Sequence, residues 1–288
     1  MHAQLYPGRI SYNWNMPKVR VDILLVNRGL AESRSQAQRL VMAGQVRANG
    51  QVIIKPSTPV VDDAELIVDQ GPPFISRGGE KLQAALQTFT VDPTGMIFAD
   101  IGASTGGFTD CLLQNGAAKV YAIDVGKGIL HWHLRQDPRV VTMERCNARH
   151  LKNLPEAVDL VTIDVSFISL QVLLPVVKGW LSQPAVMLSQ AENPKPVGQV
   201  IALIKPQFEA GRREVSRGEG VIRDPDVHRR VLLDVLSCAN ANGYEPRGLI
   251  RSPLTGPKGN TEFLTWLVYP TTEQEQVNTE GMINILFL

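Results

Sequence analysis

Ionisable side chains close several of the apolar runs in this 288-residue chain. Asp164 follows Leu160-Val161-Thr162-Ile163, Lys205 follows Ile201-Ala202-Leu203-Ile204, and Glu262 lies beside the last such run. Lys81 opens a helical pattern just after Arg77-Gly78-Gly79-Glu80. Taken singly, a charge at the end of an apolar strand can be a solvated cap. Three that converge on one crevice, with a fourth nearby, make a site able to move protons, because amines and carboxylates are the groups general acid–base catalysis uses.

A second constellation supplies a ligand site. Phe98-Ala99-Asp100-Ile101-Gly102-Ala103-Ser104-Thr105-Gly106-Gly107-Phe108, then Val120-Tyr121-Ala122-Ile123-Asp124, reads as strand, glycine-rich turn, helix, strand, acid. Small residues let backbone N–H groups approach a ligand, and the acid ending the second strand can accept hydrogen bonds from ribose hydroxyls. Ser104 stands where a dinucleotide-binding loop would carry its middle glycine. Asp100 would repel a pyrophosphate, and it suits a cofactor with a cationic amino-acid tail. S-adenosylmethionine therefore fits better than a nicotinamide dinucleotide. The expected cofactor residues are Asp100, Gly102, Ala103, Ser104, Thr105, Gly106, Gly107, Phe108, Asp124 and Val125, with Asp164 near the sulfonium. Asn147 is placed either for an adenine-edge contact or as a simple loop cap. Phe108 and Phe167 read equally as core or as site. His131 and His133 flank Trp132 but do not share a helix face, so no metal site is expected.

These residues need a scaffold, and the chain is long enough for a full α/β core with one small extra domain. Strands are predicted near Ile97–Ile101, Val120–Val125, Leu160–Val165 and Val200–Lys205, each a short buried run of the parallel type. Helices are expected over Glu80–Phe89 and Pro225–Ala241, with final strands near Leu249–Ser252 and Glu262–Val268. Alternation of this kind predicts a doubly wound, mostly parallel sheet that binds ligands at the carboxyl ends of its strands. Residues 183–198 read as a surface insertion and 271–288 as a poorly ordered tail.

Cys111, Cys146 and Cys238 are scattered, which suggests neither a disulfide framework nor a zinc site and leaves a reducing cytoplasm as the default. No run approaches the roughly 18 apolar residues of a membrane span, and no secretory signal opens the chain.

The net charge of +1 hides an uneven distribution. Lys18, Arg20, Arg28, Arg34, Arg39, Arg47 and Lys55 face only Asp22 and Glu32 over that stretch. Val21, Leu24, Leu25 and Leu30 mark a short helix stopped by Gly29, and Ser33 caps a second with the stripe Ala37, Leu40, Val41. Asn49-Gly50 then predicts a hairpin. The pattern Asp22-x-x-Leu25, Arg28-Gly29-Leu30-Ala31-x-Ser33-Arg34-Ser35-x-Ala37, Gly44-x-Val46 and Asn49-Gly50 resembles the S4 RNA-binding domain. The resemblance implies RNA contacts from Arg20, Arg28, Arg34, Ser35, Arg39, Arg47 and Lys55, which would grip phosphates with little base information. The expected organisation is an extension over 1–17, with Met16 as an alternative start, an S4-like domain over 18–70 and a linker over 71–78. A catalytic domain over 79–270 and the tail complete it.

Nearly the whole chain, in order, resembles the TlyA family of ribosomal RNA 2′-O-methyltransferases, whose catalytic domain is similar to FtsJ-type enzymes and which is historically also called hemolysin A. The segments that carry this are Ser76-Arg77-Gly78-Gly79-Glu80-Lys81-Leu82, the glycine loop from Asp100 to Phe108, Asp164-Val165-Ser166-Phe167-Ile168-Ser169-Leu170, Leu203-Ile204-Lys205-Pro206-Gln207-Phe208-Glu209, and Gly259-Asn260-Thr261-Glu262-Phe263. The resemblance implies a catalytic set of Lys81, Asp164, Lys205 and Glu262, S-adenosylmethionine as donor, and cytidine in ribosomal RNA or ribosomal subunits as acceptor. A ribose hydroxyl is a poor nucleophile, so a base must take its proton, and Lys205 is assigned that role. Asp164 would orient Lys205, and Glu262 would position Lys81 or the ribose. Three rivals stand beside this reading: a dehydrogenase on the same glycine turn, a membrane-active hemolysin, and an RNA-binding protein with a catalytically dead methyltransferase fold, which the intact four-residue set opposes. Asp100, Lys205 and the basic front oppose the first. No spanning or strongly amphipathic basic helix supports the second.

Overall fold

The computed structural model describes residues 17–69, 71–182, 198–211, 214, 218–270 and 278–288. The extension over 1–16, nearly all of the insertion expected over 183–198, and residues 271–277 of the tail lie outside them. The chain divides into two compact units, Met1–Gly71 and Pro72–Leu288.

In the first unit, β1 (Lys18–Arg20) runs into α1 (Val21–Asn27), followed by α2 (Arg34–Met42), β2 (Val46–Ala48), β3 (Gln51–Ile53), β4 (Pro59–Val61) and β5 (Leu66–Val68). Strand β1 pairs antiparallel with β4, and β2 sits between β3 and β5. Ser33 caps α2 by accepting from the Gln36 N–H at 3.2 Å. Asn49 and Gly50 both take positive φ, +49° and +79°, as a two-residue hairpin turn matched to strand twist requires. Val21, Leu24, Leu25, Ala37, Val41 and Val46 form the small core.

The second unit carries α3 (Gly78–Phe89), β6 (Ile97–Ile101), α4 (Gly107–Gln114), β7 (Lys119–Ile123), α5 (Trp132–Gln136), β8 (Val140–Met143), β9 (Leu160–Ile163) and α6 (Leu170–Val177). It continues with β10 (Gly198–Ile204), α7 (Pro206–Glu209), α8 (Pro225–Ala241), β11 (Glu245–Arg251), β12 (Phe263–Tyr269) and α9 (Thr279–Ile285). The seven-stranded sheet has the order β11-β12-β10-β9-β6-β7-β8. Strands β6 to β10 are mutually parallel, and β12 and β11 complete one edge in antiparallel register. Helices α3 and α4 cover one face, with Leu82, Ala85, Leu86, Phe108 and Leu112 in that core. Helices α6, α8 and α9 cover the other, through Leu173, Val177, Val231, Val235 and Ile283. The chain starts at β6, moves outward to β7 and β8, then returns to β9 on the opposite side of β6. That reversal opens a crevice at the carboxyl ends of β6 and β9, where doubly wound sheets bind ligands.

The tail expectation needs correction. Residues 279–285 form α9, capped by the Asn278 side chain, which accepts from the Gly281 N–H. Ile283 is buried in the main core. Among the described residues, no helix is long and apolar enough to cross a membrane, and no group of three or more His, Cys, Asp or Glu could hold a metal ion.

Candidate active site

Strand β6 ends at Ile101, and the chain turns at Gly102 with φ +81°. A Cβ there would lie 2.4 Å from the Asp164 carbonyl oxygen at the end of the neighbouring strand β9. Only glycine lets the two strand ends approach this closely. Ser104, with φ +51°, takes a left-handed conformation without being glycine, and such strain is commonly stored at functional sites. Its N–H donates to Asp124 Oδ2 at 2.9 Å, and the Gly126 N–H donates to Asp124 Oδ1 at 2.7 Å. Asp124 thus ties the glycine loop to the loop after β7, and each carboxylate oxygen keeps a lone pair for a ligand.

Two adjoining cavities open here. The larger, about 610 Å³, is lined by Ser76, Lys81, Gly102, Ala103, Ser104, Thr105, Gly107, Phe108, Asp164, Lys205 and Glu262, among others. The smaller, about 300 Å³, takes in Asp124, Val125, Asn147 and, again, Gly102, Ser104 and Asp164.

The four ionisable residues meet in the larger cavity as two pairs. Lys81, in the first turn of α3, contacts Glu262 Oε2 at 2.6 Å, with the two side chains only 10% and 1% exposed. Gln207 Nε2 reaches the other Glu262 oxygen at 3.5 Å. Lys205 Nζ lies 2.6 Å from Asp164 Oδ1 and 3.3 Å from Ser166 Oγ. The first of these contacts is a charge pair without hydrogen-bond alignment, which leaves Asp164 Oδ1 buried with no aligned donor. Asn260, 3% exposed, braces the loop that delivers Glu262, accepting from Ile222 N–H and donating to Gly220 O.

Several residues expected at the cofactor fall elsewhere. Asp100 is fully buried and lines neither cavity. Its carboxylate accepts from Thr109 Oγ1 at 2.6 Å and Thr162 Oγ1 at 2.9 Å, fastening α4 and β9 to β6. Burial pushes its pKa up to about 6 against the opposing pull of those hydroxyls. The repulsion of phosphate argued from sequence therefore acts from beneath the loop and involves no contact with the cofactor. Gly106 also lies beneath, where a Cβ would meet Leu134 Cδ1 at 2.1 Å. It is glycine to let α5 pack. Phe108 is core with one edge on the cavity. Asn147 both caps and lines: its Oδ1 accepts from the Arg149 N–H at 3.0 Å, and the residue borders the smaller cavity.

In the first unit, Ser35, Arg39, Arg47 and Lys55 are exposed, as are Arg28 and Arg34, and Arg20 is half-buried. Arg28 is taken up by structure, since its terminal nitrogens donate to the Ala64 and Asp62 carbonyls and clip a turn.

A family model for FtsJ-like methyltransferases matches residues 74–269, and one for the S4 domain matches residues 19–66. The chain belongs to the FtsJ-like methyltransferases. It is 48% identical to the Bacillus subtilis protein YqxC over 90% of this chain and 88% of that one. It is 46% identical to the 16S/23S rRNA (cytidine-2′-O)-methyltransferase TlyA of Mycobacterium tuberculosis, over 87% of this chain and 90% of that one. A solved Streptococcus thermophilus structure named "Putative hemolysin" matches at 42% identity and TM-score 0.66, covering 94% of this chain and 96% of that one. Membership in a methyltransferase family displaces the dehydrogenase alternative.

As an FtsJ-like enzyme the chain needs a methyl donor, and its residues fit S-adenosylmethionine. The glycine-loop residues that line the larger cavity, the Asp164 carboxyl that borders both cavities and the spare acceptors of Asp124 suit an amino-acid tail, a cationic centre and a ribose respectively. Sequence reasoning left one residue open that the FtsJ-like site displays plainly. Phe167 is 90% exposed, has φ +66°, borders both cavities and packs against Phe208 with ring centroids 4.8 Å apart. The signal for it was an aromatic residue three positions after Asp164.

Proposed function

We propose that this protein transfers a methyl group from S-adenosylmethionine to the 2′-hydroxyl of a cytidine in ribosomal RNA, working in the cytoplasm on the RNA or on ribosomal subunits. The observation that carries this reading is the meeting of Lys81–Glu262 and Lys205–Asp164 in one cavity beside the glycine cradle. Cytidine and ribosomal RNA come from the activity named for the Mycobacterium tuberculosis relative.

When bound, the donor supplies an electrophilic methyl carbon on a sulfonium. The loop residues that line the larger cavity, Gly102 to Thr105 and Gly107, would cradle its amino-acid end, although the N–H groups of Gly102, Ala103 and Ser104 already donate to Ile123 and Asp124. Asp124 would hold its ribose, and Val125 and Asn147 would border the adenine. Asp164, which lines both cavities and lies 2.6 Å from Lys205, would stabilise the positive centre of the bound donor and orient Lys205. Lys205 is the group that would take the proton from the 2′-hydroxyl as that oxygen attacks the methyl carbon, a role open only to a lysine in its amine form. A positioned base of this kind typically contributes about 10²–10⁴-fold, and alignment of the hydroxyl with the methyl carbon supplies much of the rest. Lys81, fixed by Glu262, directs its ammonium at the acceptor ribose. Phe167 offers a ring face at the cavity mouth on which the target base stacks. The S4 unit grips phosphates through its exposed Arg and Lys side chains.

The test is incubation of the full chain with tritiated S-adenosylmethionine and isolated ribosomal subunits, followed by nuclease digestion. Label recovered in 2′-O-methylcytidine supports the proposal. Label on a base, on another ribose, or on nothing overturns it.

A further inference from the structure

Asp22 is the one acid in the first turn of α1, in the middle of the basic stretch, and it is completely buried. A buried carboxylate is costly unless every oxygen is paired, and here the partners are specific. Arg20 binds it twice, Nε to Oδ1 at 3.0 Å and a terminal nitrogen to Oδ2 at 2.9 Å. Arg34, the first residue of α2, reaches Oδ2 with Nε at 3.1 Å, and Gln38, one turn later, adds Nε2 at 3.0 Å. The hydrogen bonds from Arg20 lead in holding the Asp22 carboxyl well below the usual carboxylate range, with Gln38 and Arg34 assisting against the cost of burial. The two arginines themselves face outward, with side chains 42% and 56% exposed. Both terminal nitrogens of Arg34 and one of Arg20 have no hydrogen bond among the described residues.

We propose that Asp22 is a positioning residue that holds the Arg20 and Arg34 guanidiniums side by side as a preformed clamp for the phosphate backbone of RNA. This rests on the reading of the first unit as the RNA-binding part. The arginines come from different elements, β1 and α2, so one buried carboxylate fixes both forks in the planar orientation that phosphate oxygens accept. Long side chains that must be ordered on binding lose affinity, and Asp22 has already ordered these two.

The sign of the effect separates this from simple electrostatics. Removing an acid from a basic surface raises its positive charge, which by itself strengthens RNA binding. The clamp predicts the reverse. In the full chain, Asp22→Asn should weaken binding to isolated ribosomal RNA, measured by filter binding at fixed salt, by roughly 5- to 100-fold for two loosened arginines. The KM for RNA should rise while kcat and cofactor affinity stay unchanged. In an Arg20→Gln/Arg34→Gln background, Asp22→Asn should add no further loss. Gln38→Leu, which removes one donor to the same carboxylate, should weaken binding in the same direction and keeps the test decisive should Asp22→Asn not fold. Equal or tighter binding by a folded Asp22→Asn chain overturns the proposal, as does an equal loss with and without the arginines. If the arginine pair itself can be replaced without loss of affinity, the RNA assignment of these two residues falls and the clamp with it, while the methyl-transfer reading of the other unit is untouched.

Discussion

Replacing Glu262 by Ala leaves the Lys81 ammonium, 10% exposed, without the carboxylate now 2.6 Å away. Breaking a buried ion pair from one side typically costs about 3–5 kcal/mol, because the remaining charge stays desolvated and unpaired. For a unit of 150–250 residues each kcal/mol moves the melting point by roughly 2–4 °C, so a fall of about 6–20 °C is expected. Removing both charges is a different perturbation. Apolar replacement of a whole buried pair is often neutral or stabilising, so the double variant Lys81→Met/Glu262→Leu should recover most of the lost stability and none of the activity. Tryptophan fluorescence reads the melt, since Trp180 is buried in the main core and Trp266 stacks on Phe89, both in the second unit. Methyl transfer to ribosomal subunits reads the chemistry. A single variant melting within about 2 °C of wild type would show that the pair is not desolvated as the geometry says. A double variant that stays as unstable as the single one, or that keeps substantial turnover, would refute the idea that the pair is retained for function at no gain in stability.

Four further outcomes are expected. Asp124→Ala should weaken S-adenosylmethionine binding by about 1.5–3 kcal/mol, the worth of hydrogen bonds to a charged acceptor, and Asp124→Asn by less; unchanged affinity by calorimetry in a folded Ala variant would remove Asp124 from the site. Lys205→Ala should lower the melt, because it strands the largely buried Asp164 carboxylate now 2.6 Å away, and should cut turnover by orders of magnitude in the protein that remains folded; retention of more than about a tenth of wild-type turnover would contradict a general base. Asp100 has a folded-state pKa of about 6, above its unfolded value, so the folded chain holds a proton that the unfolded chain has lost between about pH 4 and 6. Its share of stability, roughly 3 kcal/mol for about two pH units, is therefore lost as pH rises through that window, and Asp100→Asn should remove this loss; a stability difference between the two proteins that is the same at pH 4.5 and pH 7 would contradict it. Phe167→Ala should raise the KM for RNA without changing cofactor affinity or the melt, while Phe167→Tyr should restore it; equal kinetics for all three would deny the ring a role.

Much of the scaffold was legible because it depends on local chemistry. The glycine loop, the Ser33 cap, the Asn49-Gly50 turn and the helix Pro225–Ala241 follow from conformational freedom, capping geometry and apolar periodicity, which act within a few residues. The types of the site residues were legible as well, since Lys81, Asp164, Lys205 and Glu262 stand beside apolar runs that must be buried. Their pairing was a matter of sheet order. Lys81 and Glu262 are 181 positions apart in the chain, and only the return of β9 and β10 past β6, with β12 antiparallel beside β10, brings them to one cavity. Asp100 shows the limit from the other side. In a parallel strand covered on both faces, neither direction is polar, so composition does not reveal which way a side chain points, and the carboxylate turned to two threonines beneath the loop. The tail over 279–285 was equally hidden, because a helix this short gains its stability from Ile283 docking into a core built by residues far upstream. Arg20 and Arg34 read as two free cations in sequence, and only folding of α1 against α2 places one buried carboxylate between them.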